Sequence, residues 1–320
     1  MIDNVTLRAF FREFRDGSAD LSEATLGTYS ADVSNLANCW LETHADELLL
    51  VETGREAIEG AMNWLVSNGR SKATANRCLR SAKAVCNWAA ERGRMPDRPP
   101  RIKPFRETKR LPTAWKPEEF DAILGAAEHL RGPMGESTAA AVVSCTLRVL
   151  HNTGARLSAG FGIRSEWVDL AAAHPQIRIG AEVQKDGEEQ QVDLLPGTVE
   201  AIRQVGSIGR LERLLGDWPY QARTFDEWLR QLIVDAGLRP TLKDVTRHDL
   251  AHKIRRCYAT QLYVATGDIE YVRQKLGHSR AETTLRYIDF SQVPRKGERE
   301  YLREPRPRPM QLLLFGDKVG

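Results

Sequence analysis

Between positions 252 and 287 the chain carries His252-Lys253-Ile254-Arg255, then Leu276-Gly277-His278, then Thr283-Thr284-Leu285-Arg286-Tyr287. Two histidines, an arginine and a tyrosine are groups with which a protein can hold a phosphodiester and attack it. Cleavage of that bond without water or metal needs a nucleophile, charge stabilisation on two non-bridging oxygens and a proton for the leaving 5′ oxygen. Upstream, Arg156 and Lys185 fit the roles still unfilled, a second arginine and a proton donor. A guanidinium suits the oxygens because its planar fork bonds both at once and stays charged at any physiological pH. A phenol ionises only near pH 10, so Tyr287 as nucleophile needs cations and a proton acceptor close by. Arg156, Arg255 and His278 would supply the field, and His252 would serve as acceptor or orienter.

In this order the set resembles the tyrosine recombinases, the phage-integrase family, from about residue 20 to about residue 292. Leu-Gly-His followed nine positions later by a tyrosine is specific in combination, whereas His-x-x-Arg alone is not. The resemblance implies that Arg156, in Thr153-Gly154-Ala155-Arg156, is the family's first arginine and Arg255 its second. It implies that Gln184-Lys185-Asp186-Gly187 is the catalytic-lysine hairpin and that Tyr287 forms a 3′-phosphotyrosyl link, freeing a 5′ hydroxyl. Neither metal, ATP nor another cofactor is implied; the implied partner is double-stranded DNA, bound by a homo-tetramer. Rival readings are a type IB topoisomerase, against which the small helical N-terminal half argues, and a DNA-binding relative that has lost catalysis.

Two features complicate the match. His248-Asp249-Leu250-Ala251-His252 could also be laid on the His-x-x-Arg box, with Ala251 where the arginine belongs. Only the register starting at His252 keeps both residues, and Arg255-Arg256-Cys257-Tyr258-Ala259-Thr260-Gln261-Leu262 then continues as the family does, with Arg256 where a histidine is common. The same five residues resemble a metalloprotease zinc helix, but Asp249 is a methylene shorter than the usual glutamate and a third ligand is not evident. Ala159 stands three positions after Arg156, where the family usually has an acid that orients the site; Glu166 is a conceivable substitute.

The elements that must position these groups read as mostly helical. Ser22 precedes an apolar face of Leu26, Tyr29, Val33, Leu36 and Trp40 at helical spacing, and similar faces recur at Ile58, Met62, Leu65 and at Leu79, Ala82, Cys86, Ala89. The last of these helices, opened by Ser71 and stopped at Gly93, carries Lys72, Arg77, Arg80 and Lys83 as candidate DNA contacts. The pattern resembles the family's core-binding domain, of SAM-like type. Ile177 to Ile179, Glu182 to Lys185 and Gln190 to Leu194 read as short strands, the last two joined by Asp186-Gly187, a type I′ hairpin signal. The expected fold is therefore mainly α with a small antiparallel β-sheet. Residues 1–95 form a helical DNA-binding domain, 96–112 a basic linker along DNA and 113–292 a mixed α/β catalytic domain. Residues 293–320 form a tail whose Met310-Gln311-Leu312-Leu313-Leu314-Phe315 needs cover, from a neighbouring protomer or from its own catalytic domain.

Composition agrees with this class. At 320 residues with 42% hydrophobic content the chain can build two ordinary cores. Residues 70 to 116 hold fourteen Lys or Arg against Glu91, Asp97 and Glu107, although the chain as a whole is only +3. Such a band suits a phosphate backbone, or else a solvated basic face. The five cysteines at 39, 78, 86, 145 and 257 lack a Cys-x-x-Cys and read as core residues. No apolar run spans a membrane and the first residues lack a secretion signal's continuous core, so a cytoplasmic protein is expected.

Overall fold

The computed structural model describes residues 5–108, 111–185 and 187–294. The chain divides into two compact units at about residue 110.

Among its described residues the first unit has the α-helices α1 (Leu7–Asp16), α2 (Glu23–Leu41), α3 (Arg55–Ser67) and α4 (Lys72–Glu91). Three start on a hydroxyl that satisfies an otherwise orphaned amide. Thr6 accepts from Ala9 N, Ser22 from Thr25 N and Ser71 from Thr74 N. The apolar faces expected on α2, α3 and α4 turn inward, with Val33, Leu36, Ile58, Met62, Leu79 and Cys86 buried. Helix α1, absent from the expected set, adds Leu7, Phe10, Phe11 and Phe14 at spacings of three and four. Within this core Asp32 is fully buried; it accepts both arms of the Arg77 fork at 2.8 and 3.1 Å, and the Ser81 hydroxyl at 2.7 Å.

Part of the stretch expected to be a basic linker is stitched to this unit. Ile102 is buried in its core, and Phe105 packs against it. Asn76 brackets Phe105, donating to its carbonyl at 2.9 Å and accepting from its amide at 2.8 Å. Arg55 donates to Arg101 O at 3.1 Å. Two apolar side chains and these hydrogen bonds hold the segment against the unit.

The second unit has helices α5 (Pro117–Glu128), α6 (Ala139–Thr153), α7 (Leu157–Gly162), α8 (Pro196–Val205), α9 (Phe225–Asp235), α10 (Ala251–Thr266), α11 (Ile269–Lys275) and α12 (Ala281–Leu285). Pro117 opens α5, with the Glu119 carboxylate accepting from Lys116 N at 2.8 Å. A two-residue hairpin joins β1 (Pro133–Met134) to β2 (Ser137–Thr138). The main sheet is antiparallel in the order β3 (Val168–Asp169), β4 (Gln176–Ile179), β5 (Gln190–Asp193). One core gathers around Val142, Leu147, Phe225, Leu229 and Ile254, and a second around Ile177, Ile179, Val192 and Ile202. Among the described residues no helix is long and apolar enough to cross a membrane.

The hairpin differs from the expected one. Glu182 to Lys185 is not a strand: Ala181–Val183 makes a single 3-10 turn, and β5 pairs instead with β4, Ile177 opposite Val192 and Ile179 opposite Gln190. Ile177 and Ile179 give β4 an apolar face to bury, whereas Val183 is the lone apolar side chain of the rejected segment. Gly187, at φ +67°, closes the turn with its amide on Gln184 O at 3.2 Å. Asp186 lies outside the described residues, as does the apolar tail at 310–315.

Candidate active site

Helix α10 is the platform of the site. Its first turn carries His252 and its second Arg255, which is 2% exposed. A buried guanidinium must spend its hydrogens on fixed acceptors. Arg255 donates to Gly154 O at 2.6 Å, to Leu276 O at 2.7 Å and to His278 Nε2 at 3.2 Å. These three partners lie in two loops that the sequence singles out, the one before Arg156 and the one holding Leu-Gly-His. Arg255 thus ties both loops to α10 besides presenting charge.

Each loop has a local reason for its shape. Gly154 ends α6 in the left-handed conformation at φ +63°, and a Cβ there would lie 2.3 Å from Tyr258 Cδ1, so only glycine fits. The chain leaves it extended at Arg156, half-buried at the head of α7. Gly277 makes the same left-handed exit after α11, at φ +62°. It turns the chain so that His278 is 3% exposed. Because the Arg255 guanidinium can only donate, His278 Nε2 accepts; the proton then sits on Nδ1 and is given to Thr284 Oγ1 at 3.0 Å. Arg273 donates to the His278 carbonyl and is held by Glu270.

Tyr287 follows α12, its amide bonded to Thr284 O at 2.8 Å. Its ring lies between two imidazoles, with centroids 4.9 Å from His252 and 4.9 Å from His278, and Arg255 Cζ is 5.5 Å from its centre. The segment just beyond is anchored. Ile288 is fully buried, and Asp289 accepts from Ala114 N at 3.0 Å while its own amide donates to Thr260 Oγ1 at 2.9 Å. Asp289 was not apparent as a functional position; its one signal is Asp-x-Ser, which makes an Asx turn here, Ser291 N to Asp289 Oδ1 at 3.1 Å.

Part of the His252 ring is open to solvent, yet the protein packed around it lowers its pKa to about 4, and the positive field of Arg256, Arg255 and Arg156 acts in the same direction. His252 is therefore neutral at pH 7 and able to accept a proton. Arg256 lies one helical turn beyond His252 on the same face, half-buried, with its Nε enclosed and without a hydrogen-bond partner.

The rest of the expected set is more dispersed. Lys185 is exposed on the loop before Gly187, not at a strand end. Ala159 is buried within α7, and Glu166 is no substitute for the missing acid: it is exposed and pairs with Arg164 at 3.6 Å. Asp249 cannot act as a base beside His248, because Arg239 holds it at 2.6 Å, Lys253 at 3.3 Å and the Thr246 amide and hydroxyl at 3.0 and 2.9 Å. Burial opposes its charge, but these donors outweigh that and keep its pKa below the ordinary range. In the first unit Lys72 and Arg80 are exposed and Lys83 half-exposed on α4. Arg77 is half-buried, and its Nε and one terminal nitrogen are engaged by Asp32.

Residues 115–292 match the phage integrase family model. A tyrosine recombinase XerC of Neisseria meningitidis serogroup C is 26% identical over 286 residues, 86% of this chain and 88% of the relative. One from Yersinia pestis is 24% identical over 230 residues, 67% of this chain and 68% of the relative. Among solved structures, a lambda integrase dimer bound to a COC' core site superposes with a TM-score of 0.68 at 15% identity, covering 92% of this chain and 99% of that one. The Tn1549 transposon integrase with a circular intermediate DNA gives 0.67 at 14% identity, covering 89% and 95%.

Proposed function

The chain belongs to the phage integrase family, and we propose that it is a site-specific recombinase that cuts DNA with Tyr287 and rejoins it. The observation that carries this reading is the Tyr287 ring seated between His252 and His278 beside the Arg255 guanidinium, all from one chain. The XerC relatives are recombinases by name, which favours strand exchange over topoisomerase relaxation.

In the proposed step the Tyr287 oxygen forms a bond to phosphorus as its proton passes to neutral His252. Arg156 and Arg255 stabilise the two non-bridging oxygens, with His278 held beside them by Thr284. The bond from phosphorus to the 5′ oxygen breaks, and that oxygen takes a proton from Lys185. The products are a free 5′ hydroxyl and a 3′-phosphotyrosine; a partner strand's 5′ hydroxyl can attack the phosphorus of that link, which breaks the bond to the Tyr287 oxygen and returns a proton to it. The phosphoester bond is conserved in the protein link, so rejoining needs no external energy source. Double-stranded DNA is the substrate, bound by Lys72, Arg80 and Lys83 in addition to the catalytic unit. Strand exchange between two duplexes, each cut on both strands, calls for a homo-tetramer.

The test uses nicked duplexes drawn from DNA flanking the gene, in which loss of a short 5′ fragment traps the covalent protein. Wild type should form a product stable to denaturant, and Tyr287→Phe should bind the duplex with similar affinity and form none. Equal trapping by both proteins would refute the assignment.

A further inference from the structure

Gln190, the first residue of β5, is buried and hydrogen-bonds to two backbone carbonyls and one side chain, in three segments that carry proposed catalytic groups. Its amide nitrogen donates to Lys275 O at 2.7 Å and to Thr153 O at 3.3 Å. Its oxygen accepts from the Gln184 side chain at 3.3 Å, and Gln184 is itself buried. Lys275 immediately precedes Leu276-Gly277-His278, Thr153 precedes Gly154-Ala155-Arg156, and Gln184 is the neighbour of Lys185. Lys275 Nζ adds a second stitch to Gln191 O at 3.3 Å.

The chemistry at this position is restrictive. Two carbonyl oxygens accept only from N–H, which fixes the nitrogen end of the Gln190 amide toward them and leaves its oxygen for the Gln184 NH2. Glutamate would set a carboxylate against two carbonyls, and leucine would leave two acceptors and a donor buried without partners. The amide also stands on a rigid element, because Gln190 is in register with Ile179 on β4. Val183 packs against the neighbouring core, whereas Lys185 itself is exposed, and among the described residues no ion pair holds the lysine.

We propose that Gln190 is a positioning residue for proton donation: acting through Gln184, it sets the reach of Lys185 relative to the Arg156 and His278 loops. The inference rests on the reading of Lys185 as the acid. It is tested by single-turnover cleavage of the trapping duplex, either with its normal bridging 5′ oxygen or with sulfur there, since a thiolate leaves without protonation. Lys185→Ala should raise the sulfur-to-oxygen rate ratio by about 10² to 10⁴. Gln190→Leu should raise the same ratio by at least about tenfold, the effect of a misplaced acid, with DNA affinity little changed. The ratio is independent of the active fraction, so partial misfolding does not imitate the result. Gln190→Glu, which keeps the shape, should behave like Gln190→Leu and supplies the measurement if leucine is not tolerated. A raised ratio for Lys185→Ala with an unchanged ratio for both Gln190 variants would overturn the inference alone. An unchanged ratio for Lys185→Ala would remove the acid role and the inference with it.

Discussion

Arg77→Ala separates a structural cation from a DNA contact. Asp32 is fully buried and holds the Arg77 fork at 2.8 and 3.1 Å. Truncating the arginine leaves that carboxylate with the Ser81 hydroxyl at 2.7 Å as its remaining side-chain donor. Removing one partner of a fully buried ion pair costs roughly 3 to 5 kcal/mol. The Arg77 side chain is 43% exposed, so water screens and partly replaces it. A discounted loss of about 2 to 3 kcal/mol is expected. That corresponds to roughly 30- to 150-fold faster amide hydrogen exchange in α2 and α4, if those amides exchange through opening of the first unit. Pairing Arg77→Ala with Asp32→Asn should recover much of the protection, since the uncompensated charge is gone. Affinity measured against salt should show nearly the wild-type slope for Arg77→Ala, whereas Arg80→Ala with Lys83→Ala should flatten it by up to about 2 units. Unchanged protection together with a slope lower by about one unit would refute this account of Arg77.

Arg156→Ala and Arg255→Ala should each slow cleavage by about two to three orders of magnitude, since one lost oxyanion donor forfeits about 3 to 4 kcal/mol. Arg255→Ala alone should also lower the melting temperature, because the Gly154 and Leu276 carbonyls lose their donors. His248→Ala should cleave like wild type; damage equal to that of His252→Ala would move the motif register. Gly154→Ala should destabilise the second unit by about 2 kcal/mol or more, through strain at φ +63° and collision with Tyr258, seen in chemical denaturation. Stability should fall as pH drops from about 6.5 to about 4. His252, and His151 of α6, whose ring stacks on Phe120 and is pushed down mainly by burial, titrate near 4 when folded and near 6.5 when unfolded, so the unfolded chain binds more protons in that window. A melting temperature flat across that range would contradict both depressions.

Most of the site was legible because its chemistry is confined to a few residue types at fixed spacing. His252, Arg255, His278 and Tyr287 need no long-range information to be nominated: α10 carries the first two, the Gly277 exit places His278, and Tyr287 directly follows α12. Hairpin pairing was less legible: Asp186-Gly187 marks a turn, but the partner of β5 depends on which segment has an apolar face, and Ile177 and Ile179 outcompete Val183. Arg77 looked like a surface cation because charge patterning cannot reveal that Asp32, among Leu26, Tyr29, Val33 and Leu36, faces the core. Gln190 had a faint signal, a polar side chain on the same inward face of β5 as Val192. Its partners come from positions 153, 184 and 275, which only the folded chain brings together.

The central claim is that Tyr287 itself becomes joined to DNA. Trapped wild-type complex can be digested with nuclease and protease and the nucleotide-bearing peptide sequenced by mass spectrometry. The account predicts a phosphodiester-linked nucleotide on Tyr287. The same modification on Tyr271, or on a residue other than tyrosine, would contradict it.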